Sequence, residues 1–150
     1  MTGRVELRDV VEADLFVFFQ HQLDPEANRM AAFTARDRDS FMAHWTKILR
    51  DDALHARTVV VDGEVAGNVV SWNQGDERLV GYWIGKRFWG KGVATMALAA
   101  FLEHFPARPL HARVAAHNAG SIRVLEKCGF ARVGRESHPD GVEELIYELT

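Results

Sequence analysis

The segment Ile84-Gly85-Lys86-Arg87-Phe88-Trp89-Gly90-Lys91-Gly92-Val93-Ala94-Thr95 carries the clearest chemistry in the chain. An apolar run ends, glycines follow, and a run rich in Ala, Leu and Met begins. The first amides of a helix have no internal partners and point outward. The helix dipole adds partial positive charge at the same end. Small residues at Gly90, Gly92 and Ala94 let a phosphate approach the backbone, so the turn is a candidate anion cradle. The same glycines also suit a plain strand-to-helix turn. The pattern is not Gly-x-Gly-x-x-Gly with an acidic residue downstream. It also lacks the Gly-Lys-Ser/Thr ending of a P-loop. Taken alone, it marks a phosphate site of unassigned owner.

The elements around this turn follow from periodicity and punctuation. Val5–Arg8 alternates apolar and polar residues, as a strand does. Leu15, Phe16, Phe18 and Phe19 place a helix over Glu12–Gln22, and Leu23–Arg36 reads as loop. Phe41, Trp45, Ile48 and Leu49 recur with helical spacing, with Asp37 or Asp39 as cap. Thr58–Val61 and Val65–Trp72 flank Asp62-Gly63, the signature of a type I′ hairpin. Arg78–Ile84 is a strand, Gly90–Phe105 a helix, and Pro109–Ala116 a strand. Gly120–Cys128 is a short helix closed by Gly129. Arg132–His138 and Val142–Leu149 form a second hairpin around Asp140-Gly141.

This order predicts an α/β protein with a mixed, mostly antiparallel sheet of about seven strands flanked by helices. Arg78–Ala116 is a β-α-β unit whose strands should run parallel through a right-handed crossover. No repeat, linker or composition shift divides the chain, so residues 1–150 are expected to form one domain.

A second motif follows that unit: Asn118-Ala119-Gly120-Ser121-Ile122-Arg123-Val124-Leu125-Glu126-Lys127-Cys128-Gly129-Phe130. It resembles the Asn-x-x-Ser…Lys-x-Gly-Phe signature of the GNAT superfamily of N-acetyltransferases. The glycine turn is similar to that superfamily's Gln/Arg-x-x-Gly-x-Gly/Ala pyrophosphate loop, with Gly92 and Ala94 at its small positions. Trp89 stands where Gln or Arg is usual. A Trp-Gly there resembles the branch that includes ribosomal-protein N-terminal acetyltransferases.

The resemblance implies acetyl-CoA as acyl donor and direct transfer to an amine acceptor. It implies that the strands Arg78–Ile84 and Pro109–Ala116 splay into a V. The pantetheine arm would lie between them and bond backbone near Ile84 and Gly85, with Asn118 near its amides. The amides of Trp89, Gly90, Lys91, Gly92, Val93, Ala94 and Thr95 would hold the pyrophosphate, and Lys86 is a further cofactor-binding candidate. Arg123 and Lys127 become candidates for the adenosine phosphates, though at i, i+4 they are equally ordinary solvated helix residues.

Transfer requires a deprotonated amine and a donor for the departing thiolate. Many superfamily members carry a donor Tyr in the helix after the Asn. That position is Leu125 here, so Ser121 is the expected donor, with a helix-capping role as its alternative. The related branch often has a Glu two residues before Gly-Tyr/Phe-Trp. Leu79 holds that place, with Glu77 near it. His117, beside Asn118, is the second base candidate, since imidazoles titrate in the useful range. A water chain is a third route, and Asn73, Asp76 and His111 stay open. The early helices and their loop border the acceptor side in this fold. Arg29, Met30 and Phe33, with Trp72 and Tyr82 on the sheet, are therefore the substrate-binding candidates.

Composition narrows the function classes. The chain has 150 residues, 47% of them apolar, enough for a full core. Its 18 basic and 21 acidic residues leave a net charge of −3. No field gathers nucleic acid or anionic membrane. Cys128 is the sole cysteine, so no internal disulfide forms, and it reads as core rather than nucleophile. The 7 histidines show no paired ligand spacing, so no metal is expected. Met1–Asp9 is charged and has no signal-peptide core, and the longest apolar run, Val93–Leu102, is too short to span a bilayer. The expectation is a soluble cytoplasmic enzyme, possible as a homodimer through exposed strand edges. Two alternatives stand beside it: an acyl-CoA-binding module without turnover, and an antibiotic-amine acetyltransferase of the same fold.

Overall fold

The computed structural model describes residues 4–150. Met1, Thr2 and Gly3, which begin the charged N-terminal stretch, lie outside the described residues. The strands are β1 (Val5–Asp9), β2 (His55–Val61), β3 (Glu64–Gln74), β4 (Glu77–Ile84), β5 (Leu110–Ala115), β6 (Ala131–Ser137) and β7 (Glu143–Leu149). The helices are α1 (Glu12–His21), α2 (Pro25–Ala31), α3 (Arg38–Arg50), α4 (Val93–His104) and α5 (Ala119–Lys127). Among the described residues, the strands form one sheet in the order β1-β2-β3-β4-β5-β7-β6. Every neighbouring pair is antiparallel except β4 and β5. This is the expected mixed sheet with its one parallel pair.

Local chemistry sets the element ends. Asp62 and Gly63 both take positive φ, 50° and 84°, as a type I′ turn requires. Asp37, rather than Asp39, caps α3 by accepting from the Ser40 amide at 2.8 Å. The glycine turn stays outside α4, which begins at Val93 rather than at Gly90. One expectation fails: Leu23–Arg36 is not all loop, because α2 lies inside it. Asp24 caps α2 through the Glu26 and Ala27 amides at 2.9 and 3.0 Å, and Pro25 starts it with φ already helical.

Two apolar layers clamp the sheet. On one face α4 and α5 pack against the sheet through Val59, Val69, Leu98, Phe101, Leu110, Leu125 and Tyr147. On the other, α1 and α3 pack Leu15, Phe18, Phe41 and Trp45, with Phe18 and Trp45 rings 5.0 Å apart. Asp14 ties α1 to the sheet. It is buried, accepts twice from Arg8 (2.7 and 2.9 Å), and also accepts from the Val11 amide and the Thr58 hydroxyl. Burial pushes its carboxyl up, but the bonds from Arg8, Val11 and Thr58 outweigh that and hold it below its usual range. Among the described residues no helix is long and apolar enough to cross a membrane.

Candidate functional site

β4 and β5 meet through a single pair, Leu79 with His111. Beyond it they part, while β4 stays paired to β3 along its length and β5 to β7. The result is a V-shaped cleft through the sheet, open towards Ile84 and Ala115. Two cavities fill it. The larger, about 520 Å³, lies between the end of β4 and the starts of α4 and α5. The smaller, about 320 Å³, lies nearer the closed end of the V and reaches the β6–β7 hairpin. Ala31, Tyr82, Asn118 and Ser121 line both.

The larger cavity has the character of an anion groove at its outer end. Trp89, Gly90, Gly92, Val93, Ala94 and Thr95 line it, facing Arg123 and Lys127 across the opening. Gly90 and Gly92 both have φ of 76°. A Cβ built on Gly90 would meet nothing within 4 Å, and one on Gly92 only Met96 Cε at 3.9 Å. The backbone at this turn is therefore bare towards solvent and groove. No side chain caps the first amides of α4. A phosphate can approach those amides without displacing a protein partner. The chain's own residues thus fit a pyrophosphate-bearing donor such as acetyl-CoA.

Several expected donor contacts lie elsewhere. Gly85 is buried, and a Cβ there would sit 2.6 Å from His21 Nε2. Lys86 is exposed and pairs with Glu26 at 2.8 Å, which raises its pKa. Gly85, Lys86 and Lys91 do not line the cavity. Ile84 does, but its carbonyl accepts from the Trp89 indole at 2.8 Å. The backbone acceptor expected for a pantetheine amide thus already has an indole donor. That bond also gives the unusual Trp at this position a structural duty: it folds the turn back onto β4.

At the junction of the cavities Asn118, rather than Ser121, supplies the cap of α5. Asn118 Oδ1 accepts from the Ser121 amide at 3.2 Å, so Asn118 caps α5. The Ser121 hydroxyl lies 2.6 Å from the Tyr82 hydroxyl instead. Burial drives the Tyr82 phenol up to about 12 despite that bond, so it stays protonated at neutral pH. Leu125, where the superfamily's Tyr is absent, is a fully buried core residue. Cys128 points its thiol at the Thr95 carbonyl at 3.6 Å, and burial pushes it up, which suits packing rather than attack.

The two base candidates do not line either cavity. His117 is exposed, and its Nε2 donates to the Arg29 carbonyl at 2.7 Å, tying the turn after β5 to α2. Glu77 lies 3.4 Å from Arg113 and 3.6 Å from His111, on the sheet face away from α4. Among the substrate candidates, Tyr82 lines both cavities and Met30 the larger one. Arg29 is exposed, Phe33 stacks edge-on to Trp83 at 5.2 Å, and Trp72 covers Gly81, with ring carbons about 3.2 Å from a Cβ there. These three do not line the cleft.

Sequence reasoning missed the far wall of the smaller cavity. Arg113, His138, Asp140 and Glu144 line it. Arg113 bonds Glu136 at 2.7 Å and Glu144 at 3.3 Å, and these carboxylates raise its pKa. His138 Nε2 lies 3.1 Å from Glu144. Glu136, His138 and Glu144 bring donor atoms within 4.8 Å of one another, but the Arg113 guanidinium already holds both carboxylates. The available signal was the alternation of polar residues along the last hairpin. Nothing in it revealed that β5 would bring Arg113 between them.

Comparison with known proteins gives the fold its context. Residues 4–131 match the acetyltransferase (GNAT) domain family. No curated relative matches the sequence. An acetyltransferase (GNAT family) from Bacillus anthracis superposes with a TM-score of 0.83 at 18% identity, covering 99% of this chain and 96% of that one. Spermidine N-acetyltransferase from Vibrio cholerae, in complex with CoA and spermine, gives 0.84 at 16% identity over 97% and 94% of the two chains. RimJ from Mycobacterium smegmatis, in complex with CoA-disulfide, gives 0.81 at 24% over 99% and 82%. At these identities the likeness establishes the shared fold, while the family match covers most of the chain. The V between β4 and β5, the bare glycine turn and the capped α5 thus belong to a member of the GNAT acetyltransferase family, an acetyl-CoA-dependent N-acetyltransferase.

Proposed function

We propose that this enzyme acetylates a primary amine, of a small molecule or a protein N-terminus, that reaches the cleft through the smaller cavity. The observation that carries the reading is the shared wall of Tyr82, Asn118 and Ser121. A donor lying in the larger cavity and an amine in the smaller one would meet there. The donor supplies the acyl group, and the chain supplies position and charge. The amides from Gly90 to Thr95, with Arg123 and Lys127, hold the phosphates. Glu144 and Asp140 offer negative charge to an entering ammonium, and His138 or water takes its proton. The reading places the enzyme in the cytoplasm, where a lone free thiol such as Cys128 persists reduced.

The test is an acceptor screen with acetyl-CoA, reading thiol release. The panel holds polyamines, peptides with free α-amino groups and aminoglycosides, so it also separates the antibiotic-amine alternative. Release with at least one class supports the reading. A chain that shows neither a thermal shift with acetyl-CoA nor thiol release with any amine refutes it.

A further inference from the structure

Two hydroxyls meet at the junction of the cavities from opposite walls. Tyr82 comes from β4 and Ser121 from α5, 39 residues apart in sequence, and their oxygens are 2.6 Å apart. The Tyr82 hydroxyl is also 3.3 Å from the Ser121 carbonyl. Because Asn118 caps α5, the Ser121 hydroxyl has no capping duty.

Such a pair has two proton arrangements. In one, Tyr82 donates to Ser121 Oγ, and the Ser121 proton is left for the cleft. In the other, Ser121 donates to Tyr82, whose proton turns to the Ser121 carbonyl, and the cleft receives none. A negatively charged acceptor in the cleft selects the first. Charge-assisted bonds are the stronger ones.

We propose that Tyr82 and Ser121 act as one donor unit for the leaving thiolate, with Ser121 donating to sulfur and Tyr82, a positioning residue, donating to Ser121. This rests on the acetyltransferase reading and on entry of the donor through the glycine-lined cavity. As the amine nitrogen bonds the acyl carbon, the carbon–sulfur bond breaks and its electron pair stays on sulfur. Ser121 holds that pair by its hydrogen bond. The ammonium gives up two of its three protons, to His138 or water, and the amide keeps the third. Water supplies the proton that completes the thiol, so neither hydroxyl is consumed and one proton is released to solvent. The phenol missing from the Leu125 position is thereby replaced from the other side of the V. Leu125 itself is locked in the core at 1% exposure.

The test reads the thiol of bound CoA, not turnover. CoA is added to the wild type, Tyr82→Phe, Ser121→Ala and the double variant, and thiolate absorbance is titrated with pH. Differences are taken against complexes with desulfo-CoA, which cancels the titrations of the nearby Cys128 and of the charged and titratable cavity groups, Tyr82, Arg123 and Lys127 in the larger cavity and Arg113, His138, Asp140 and Glu144 in the smaller. A donor bond to a charged sulfur should lower the wild-type value by about one unit relative to free CoA. Ser121→Ala should abolish that shift, Tyr82→Phe should remove about half of it, and the double variant should match Ser121→Ala. In turnover, Tyr82→Phe should lower kcat about threefold, with KM for acetyl-CoA unchanged.

Equal thiol values in wild type and Tyr82→Phe, both with CoA bound, overturn the inference. If Tyr82→Phe does not fold, Ser121→Ala decides it alone, and an unchanged value there overturns it as well. A wild-type chain whose melting temperature does not respond to CoA refutes the acetyl-CoA reading beneath it, a result distinct from binding without a thiol shift.

Discussion

Gly92→Ala separates the two duties of the glycine turn. Gly92 holds φ of 76°, where an L-residue costs about 1 kcal/mol. The added methyl would meet only Met96 Cε at 3.9 Å, an ordinary contact, so no packing penalty joins that strain. Stability should therefore fall by about 1 kcal/mol, a loss of about 2–4 °C in Tm for a chain of this size. Affinity for CoA should fall further, because the methyl stands where a phosphate must approach the α4 amides. Loss of one charge-assisted bond, about 1.5–3 kcal/mol, weakens binding about 10- to 150-fold. Gly63→Ala is the control. Gly63 has φ of 84° and nothing within 4 Å of a Cβ, but it lies in the β2–β3 turn and lines neither cavity. Both variants should lose similar stability, measured by thermal unfolding. Only Gly92→Ala should lose CoA affinity, measured by calorimetry. Wild-type affinity in Gly92→Ala, or an equal loss in both, would refute the assignment of this turn to the phosphates.

Asp14→Asn should cost about 3 kcal/mol in denaturant unfolding, since it breaks a buried network and leaves donors unmatched. The folded pKa of Asp14 is depressed, so its contribution is fully present above the unfolded value of about 4 and is lost as pH falls through the lower folded value. The acid-side slope of wild-type stability should flatten in the variant. Gly67→Ala should cost more than about 3 kcal/mol and yield little folded protein by gel filtration, because its Cβ would fall 2.1 Å from the Trp83 carbonyl of the neighbouring strand. Glu144→Gln should raise KM for the amine about tenfold by removing a charged partner, with KM for acetyl-CoA unchanged. Steady-state kinetics with the amine found in the screen measures both.

Features written in adjacent residues were legible before the fold was known. Asp62-Gly63 specifies its turn, and the glycines at 90 and 92 mark a bare backbone at a helix start. The α2 helix was also local, signalled by Asp24-Pro25, but seven residues with mixed polarity give too little periodicity to oppose a loop reading. The junction of the cavities is different in kind. Whether Asn118 or Ser121 caps α5 depends on which oxygen reaches one amide, and both residue types cap well. The Tyr82–Ser121 contact depends on how far β4 and β5 diverge. The placement of Arg113 among Glu136, Glu144 and Glu77 depends on the register of four strands, which one-dimensional spacing does not fix. His117 and Glu77 have suitable chemistry but are held by Arg29 and Arg113 outside the cleft lining.

The parting of β4 and β5 also bears on solubility. A strand edge with unpaired backbone is a template for foreign strands. Four strands on one side of the V and three on the other each present such an edge to the cleft. Those edges face each other inside the molecule, and the Leu79–His111 pair closes one end. A strand from another chain would have to thread a gap already flanked by α2, α4 and α5. The outer edges are guarded differently: β1 carries Glu6, Arg8 and Asp9, and the exposed β6 carries Arg132, Arg135 and Glu136. The fold thus keeps its functionally open backbone where aggregation has least access, and spends its charges on the two edges that face other molecules.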